Sequence, residues 1–182
     1  MPRFPVHTID DAPEASRAAL EATRQRLGKV LNIYGEMAHA PVLLAVSNAM
    51  SQAVAEHGTF DARTREAIAL AVGNQNGCGY CQSAHTLGAV RAGWSEEQTL
   101  AIRDGQLGFA PKLDALLMVA RQIAANVGEV ADETYEHARR AGWSDEELAE
   151  LFAHVMVNML TNYFNHYAET ELDIPAASGL AS

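Results

Sequence analysis

The heptapeptide Arg91-Ala92-Gly93-Trp94-Ser95-Glu96-Glu97 returns forty-nine residues later as Arg140-Ala141-Gly142-Trp143-Ser144-Asp145-Glu146. Each copy joins a glycine suited to ending one helix to a capping box that starts the next, Ser95 with Gln98 and Ser144 with Glu147. The chain must therefore change helix at both places. The same offset lays Phe60 on Phe109, and lays the two helical segments before Trp94 on the two before Trp143. The simplest fold with this property is all-α, built around a duplicated helical hairpin whose copies pack as a pseudo-symmetric pair.

The remaining punctuation fills in the other elements. Pro2 and Pro5 keep residues 1–11 as an irregular arm. Asp11 can cap a first helix from about Ala12 to Leu31, with Pro13 and Glu14 in its first turn and Leu20, Leu27 and Leu31 as its buried stripe. Gly35 and Pro41 bracket a break before a second helix, about Pro41 to Glu56. Asp61 caps a third that runs to about Gln75, Gly77 turns the chain, and a fourth runs from about Cys78 to Arg91. A short fifth follows Ser95, a sixth runs from Pro111 to about Asn126, a seventh from Asp132 to Ala141, and the longest from Ser144 to about Glu169. The Ala- and Ser-rich stretch 175–182 reads as a frayed tail. With no alternating strand, the expectation is one all-α domain over residues 1–182 with about eight helices.

A net charge of −10 gives the chain no electrostatic reason to bind nucleic acid or an anionic membrane. No run reaches the roughly 18 apolar residues of a membrane span, and the first forty residues hold no apolar signal-peptide core. The expected location is the cytoplasm, where a Cys-x-x-Cys pair is catalytic or metal-binding more often than a structural staple.

That pair is Cys78 and Cys81, the only cysteines of the chain. With Cys81 in the first turn of the fourth helix, His85 lies at i+4 on the same face and can take the thiol proton. The helix N-terminus favours the resulting thiolate. Cys78 is close enough to form a disulfide with Cys81, and Gly77 and Gly79 keep the backbone tight and the sulfurs accessible. Glu66 lies across the hinge. At ~1.5 Å per residue it sits ~13 Å from the turn and His85 ~10 Å, similar depths on antiparallel helices. A carboxylate there can hydrogen-bond His85 directly or through water and orient it.

Other readings of these residues stand beside that one. The cysteines can be passive packing and Glu66 a solvated helix residue. Zinc is a competitor, since Cys78, Cys81 and His85 supply three ligands and His57, His154 or His166 could complete the set through the fold. A metal-stabilised or redox-sensing oligomer is thus a non-enzymatic alternative. The last helix carries a polar stripe, His154, Asn158, Asn162, Asn165 and His166, which reads as a hydrogen-bonded layer in the core or an interface; the sharper reading has part of it line the active-site pocket. Trp94 and Trp143 read as packing anchors, and the methionines as core or interface filler.

The pattern Glu66-x11-Cys78-x2-Cys81-x3-His85 resembles the active site of the alkylhydroperoxidase D-like proteins, within the carboxymuconolactone decarboxylase family. The likeness covers roughly residues 35–175 and includes the Ala-Gly-Trp-Ser junctions and the segment Asn162-Tyr163-Phe164-Asn165-His166, which is similar to the peroxidase-related branch. It implies an all-helical bundle that assembles as a homo-oligomer (dimer, trimer or hexamer) and reduces hydroperoxides without haem, flavin or metal. By position, it makes Cys81 the peroxidatic cysteine, Cys78 the resolving one, His85 the base and Glu66 its polariser. Electrons would come from a thiol reductant protein or a dihydrolipoyl-type dithiol. Well-studied members carry histidine immediately before the second cysteine, where this chain has Tyr80, a hydrogen-bond donor but a poor base. The decarboxylase branch lacks the cysteine pair; a decarboxylase-like small-molecule reaction is the alternative enzyme reading.

Overall fold

The computed structural model describes residues 1–180. These form nine α-helices and no strand: α1 (Glu14–Leu27), α2 (Asn32–Met37), α3 (Pro41–His57), α4 (Ala62–Gln75), α5 (Gly79–Arg91), α6 (Glu96–Asp104), α7 (Pro111–Ala125), α8 (Asp132–Arg140) and α9 (Asp145–Ala168). The all-α class agrees with the sequence reading. The additional helix arises because the expected first helix stops early. Gly28 takes the left-handed conformation, φ 84°, and closes α1 with its N–H on the Arg24 carbonyl at 2.8 Å. The chain then restarts as the short α2. Asp11 does not cap α1 either; its carboxylate accepts from the Thr8 N–H and hydroxyl, at 2.7 and 3.0 Å, and Pro13 holds the cap position. Of the expected leucine stripe only Leu20 is fully buried.

Helix α4 is the centre of the bundle, packed by α5, α6, α7 and α9. Its residues Ala67 to Gly73 are all buried. A helical stretch apolar on every side belongs inside the protein rather than on its surface. A larger core gathers α4, α7 and the inner faces of α6, α8 and α9. A smaller one gathers Leu20, Met37 and Leu44 from the N-terminal helices with Phe164 and Ala168 of α9. Cys78, Tyr80 and Cys81 belong to the smaller core, at its seam with α4.

The duplication is written into the packing. Trp94 Nε1 donates to the Arg63 carbonyl at 3.0 Å, and Trp143 Nε1 to the Lys112 carbonyl at 2.7 Å. The Arg63 guanidinium lies 4.0 Å from the Trp94 ring centre and the Lys112 ammonium 4.3 Å from that of Trp143. Each indole also meets the phenylalanine of the other copy edge-on, Phe60 against Trp143 and Phe109 against Trp94. This exchange is what a pseudo-twofold relation produces, and both tryptophans are packing anchors. The copies differ where chemistry is concerned: the offset places Val127, Val130 and Thr134 at the positions of Cys78, Cys81 and His85.

The expected fraying after Pro175 does not hold over residues 175–180; Leu180 is the last described. Ala177 is buried and its N–H donates to the Ser83 hydroxyl at 3.1 Å. Arg103, only 2% exposed, donates to the Ser178 carbonyl. A buried guanidinium needs acceptors, and the tail supplies one. The N-terminal arm is likewise tied down, through Arg3 N–H to the Ala168 carbonyl at 2.7 Å and His7 N–H to Gly35 at 3.2 Å.

Glu150 joins α9 to the loop before α4. Its carboxylate accepts from the Thr59 N–H at 2.8 Å, the Thr59 hydroxyl at 2.6 Å, the Phe60 N–H at 3.1 Å and His154 Nε2 at 3.1 Å. Burial alone would raise its pKa, but the hydrogen bonds from Thr59, Phe60 and His154 together hold it below the usual carboxylate value. A folded-state pKa below the unfolded one adds stability that is complete above the unfolded value and is lost as pH falls through the folded one. Glu150→Ala is expected to lower unfolding free energy by about 2–4 kcal/mol at neutral pH, since it strands several donors. The deficit should shrink below about pH 4, as urea melts at pH 7 and pH 3.5 will check.

Candidate active site

The turn Asn76-Gly77-Cys78 sets the geometry. Gly77 is left-handed, φ 64°, and delivers Cys78 to the N-cap of α5. There the Cys78 sulfur accepts from the Cys81 N–H at 3.2 Å. Cys78 and Cys81 are joined as a disulfide, with Cα atoms 5.3 Å apart. Both are buried.

The two cysteines line different cavities. Cys81 lines one of about 350 Å³, with Glu66 and His85 and with apolar walls from Leu27, Leu31 and Ile33. The leucines expected in a buried stripe are thus partly exposed because they wall this cavity. Cys78 lines a second cavity of about 360 Å³, between the Gly77–Gly79 turn and the end of α9. Tyr80 and Asn165 line both and form the partition.

Glu66 and His85 meet directly, Nδ1 to Oε2 at 2.8 Å. The carboxylate can only accept, so Nδ1 donates, and in the neutral ring Nε2 is left as the basic atom. The similar depths inferred from the hairpin are consistent with this contact. The close approach of α4 and α5 depends on Gly88: a Cβ there would lie 2.6 Å from the Glu66 carboxyl atoms.

Tyr80 is no base here. Its hydroxyl donates to Asp173 at 2.7 Å, and Asp173 is held from the other side by Lys29 at 3.1 Å. Burial first, then that hydrogen bond and the Asp173 charge, push the phenol above its usual range. It stays neutral and donates.

The polar stripe of α9 divides. His154, Asn158 and Asn162 form a buried hydrogen-bonded layer: His154 on Glu150, Asn158 on the His154 carbonyl at 2.8 Å, and Asn162 accepting from Asn76 at 2.9 Å. Burial pulls the His154 pKa down, so its ring is neutral at pH 7. Asn165 belongs to the site, with its amide N–H on the Cys81 sulfur at 3.2 Å and Cys78 at 3.8 Å. His166 Nε2 donates to the Asn76 carbonyl at 2.9 Å. Among the described residues no three His, Cys, Asp or Glu side chains converge as a metal-binding group, and His154 and His166, considered above as further zinc ligands, have these other partners. The sequence singled out neither Asn165 as a sulfur ligand nor Asp173 at all. Asn165 carried a signal through the stripe; Asp173 carried none.

The fold is all-α, with a disulfide-bonded Cys-x-x-Cys pair at a helix N-terminus. Residues 41–122 match the model of the carboxymuconolactone decarboxylase family, and the fold is that of AhpD-like proteins. A comparison with curated protein sequences returns no significant match. Among solved structures, the chain superposes on the alkylhydroperoxidase AhpD core of an uncharacterised peroxidase-related protein from Ralstonia eutropha JMP134, with TM-score 0.84, 22% identity, and 94% of this chain and 92% of that one covered. A peroxidase-related protein from Silicibacter sp. TM1040 gives TM-score 0.76 at 20% identity, covering 93% and 89%. The debrominase Bmp8 in complex with 2,3,4-tribromopyrrole gives 0.80 at 18%, covering 95% and 94%. At such identities the likeness is one of fold. Among the described residues no helix is long and apolar enough to cross a membrane.

Proposed function

We propose that the protein is a thiol-dependent peroxidase-like oxidoreductase. The observation that carries this reading is the Cys78–Cys81 disulfide, with Cys81 lining the same cavity as a Glu66-paired His85. In the reduced protein His85 Nε2 takes the Cys81 proton, Glu66 steadies the imidazolium, and the helix N-terminus with the Asn165 amide favours the thiolate. The thiolate attacks the terminal oxygen of a hydroperoxide. The O–O bond breaks, the alcohol departs with a proton from His85, and Cys81 becomes a sulfenic acid. The Cys78 sulfur attacks it, water leaves, and the disulfide forms. An external dithiol returns both electrons, and no haem, flavin or metal enters the cycle.

Tyr80 replaces the family's histidine as a neutral wall anchored on Asp173. Exposed apolar residues, Val42 and Val46 on α3 with Phe152, Tyr163 and Tyr167 on α9, support assembly into a homo-oligomer. The test is direct: dithiol-reduced protein mixed with cumene hydroperoxide should yield one alcohol per chain and the Cys78–Cys81 disulfide by mass spectrometry. Hydroperoxide left unconsumed would overturn the reading.

The apolar walls of the Cys81 cavity favour one second reading, reductive debromination of a small aromatic compound. Cys81 would take the bromine, His85 would return a proton to carbon, and Cys78 would displace bromide to form the same disulfide. Bromide release by reduced protein without hydroperoxide turnover would select it.

A further inference from the structure

We propose that oxidant and reductant use opposite faces of the disulfide, with the reductant thiol entering the cavity on the Cys78 side, where His166 acts as its base. The inference rests on the thiol–disulfide reading above, and names where its reducing partner acts.

A thiolate attacks a disulfide in line with the S–S bond, from the side away from the sulfur that leaves. Of the two cysteines, the Cys78 cavity offers only Cys78 to an entering thiol. Its wall includes Cys78 but not Cys81, while the cavity of His85 and Glu66 includes Cys81 but not Cys78. Gly77 and Gly79 form part of the Cys78 wall, and a Cβ at either would meet nothing within 4 Å, so an unbranched thiol arm has room against the backbone.

His166 lines the same cavity. Its Nε2 is committed as donor to the Asn76 carbonyl, so the neutral ring holds Nδ1 as a free acceptor. The site has its own imidazole on each face, His85 beside Cys81 and His166 beside Cys78. The other titratable groups around the Cys78 cavity are Tyr80 and Glu169; Glu169 is paired with Arg3, and Glu36 sits behind Thr170.

The step balances with a dithiol as reductant. His166 Nδ1 takes the proton of one reductant thiol, and that sulfur bonds Cys78 as the Cys78–Cys81 bond breaks. The Cys81 thiolate leaves toward the Asn165 amide, 3.2 Å away, and into the cavity of His85, which can protonate it. The second reductant thiol, its proton released to solvent, then attacks the first reductant sulfur and expels Cys78, which takes back the proton held on His166. The outgoing Cys78 thiolate is received by the Cys81 N–H, which already donates to it at 3.2 Å.

The experiment reads this half-reaction alone. Protein is reduced, re-oxidised to the disulfide with diamide, treated briefly with the monothiol N-acetylcysteamine, quenched with excess N-ethylmaleimide, then digested and mapped by mass spectrometry. The expected product carries the monothiol on Cys78 and maleimide on Cys81; the reverse labelling would overturn the proposal. His166→Gln keeps an N–H for the Asn76 carbonyl and removes the base. Dithiothreitol should reduce its disulfide about 10²-fold more slowly than wild type. Its pH–rate profile should keep the rise from thiol ionisation and lose the one from imidazole, a change that loss of packing alone would not cause. A wild-type rate in the variant would count against the base, and the labelling result holds for the wild-type protein however the variant folds. Failure to consume cumene hydroperoxide would refute the peroxidase reading separately, because diamide supplies the disulfide in this assay.

Discussion

Replacing Cys81 with serine is expected to reduce hydroperoxide turnover on the order of 10⁴-fold or more, the scale on which enzymes fall when they lose a nucleophile. Serine keeps the size of the side chain but its hydroxyl cannot attack a peroxide oxygen at neutral pH. Cys78→Ser should behave differently. Its Cys81 thiol still has His85 in its cavity and the Asn165 amide at 3.2 Å, so it should react once with hydroperoxide. Without its resolving partner it should then stop as a sulfenic acid that a dimedone-type probe traps. The pair of variants assigns the roles: label on Cys81 in Cys78→Ser and none in Cys81→Ser supports the order argued above. Full turnover in Cys81→Ser would refute it. Label on Cys78 in Cys81→Ser would exchange the two roles.

What could be read from the chain follows from the range of the interactions involved. The boxes Ser95–Gln98 and Ser144–Glu147 form as the sequence suggests, because both partners lie within one turn. The Glu66–His85 contact was legible although nineteen residues separate the pair, because two helices around one short hinge leave little freedom in relative depth. The duplicated tryptophans were legible as anchors, since two copies of one junction demand equivalent surroundings. Asn165 against Cys81 and Asp173 against Tyr80 span 84 and 93 residues. No local period encodes which residue of α9, or of the segment after it, reaches the turn before α5. The tail failed for a related reason. Its composition has no apolar face, and it is held instead by long-range ties, the Ala177 N–H on Ser83 and the Ser178 carbonyl as an acceptor for buried Arg103. The leucine stripe of α1 misled because periodicity separates apolar from polar faces but not core from cavity wall.

Gly88 offers a way to separate the site's chemistry from its stability. A Cβ at that position would stand 2.6 Å from Cδ, Oε1 and Oε2 of Glu66, closer than non-bonded atoms approach. Gly88 lies inside α5, where alanine is favoured over glycine by roughly 0.5–1 kcal/mol. The clash is with the far end of a flexible side chain, which can swing away, so Gly88→Ala should unfold in urea within about 1 kcal/mol of wild type. The carboxylate cannot swing and keep its 2.8 Å hydrogen bond to His85. The imidazole then loses the partner that fixes Nδ1 as donor and Nε2 as base. We expect the rate of sulfenic-acid formation to fall about 10²-fold, the lower end of what a positioned general base supplies. Glu66→Gln should produce a comparable loss. The double variant should lose little more than either alone, because both changes remove the same interaction. Additive losses, or an unimpaired Gly88→Ala, would show that Glu66 does not act through His85. Should Gly88→Ala lose activity and several kcal/mol of stability together, the glycine would instead be serving the packing of α4 on α5.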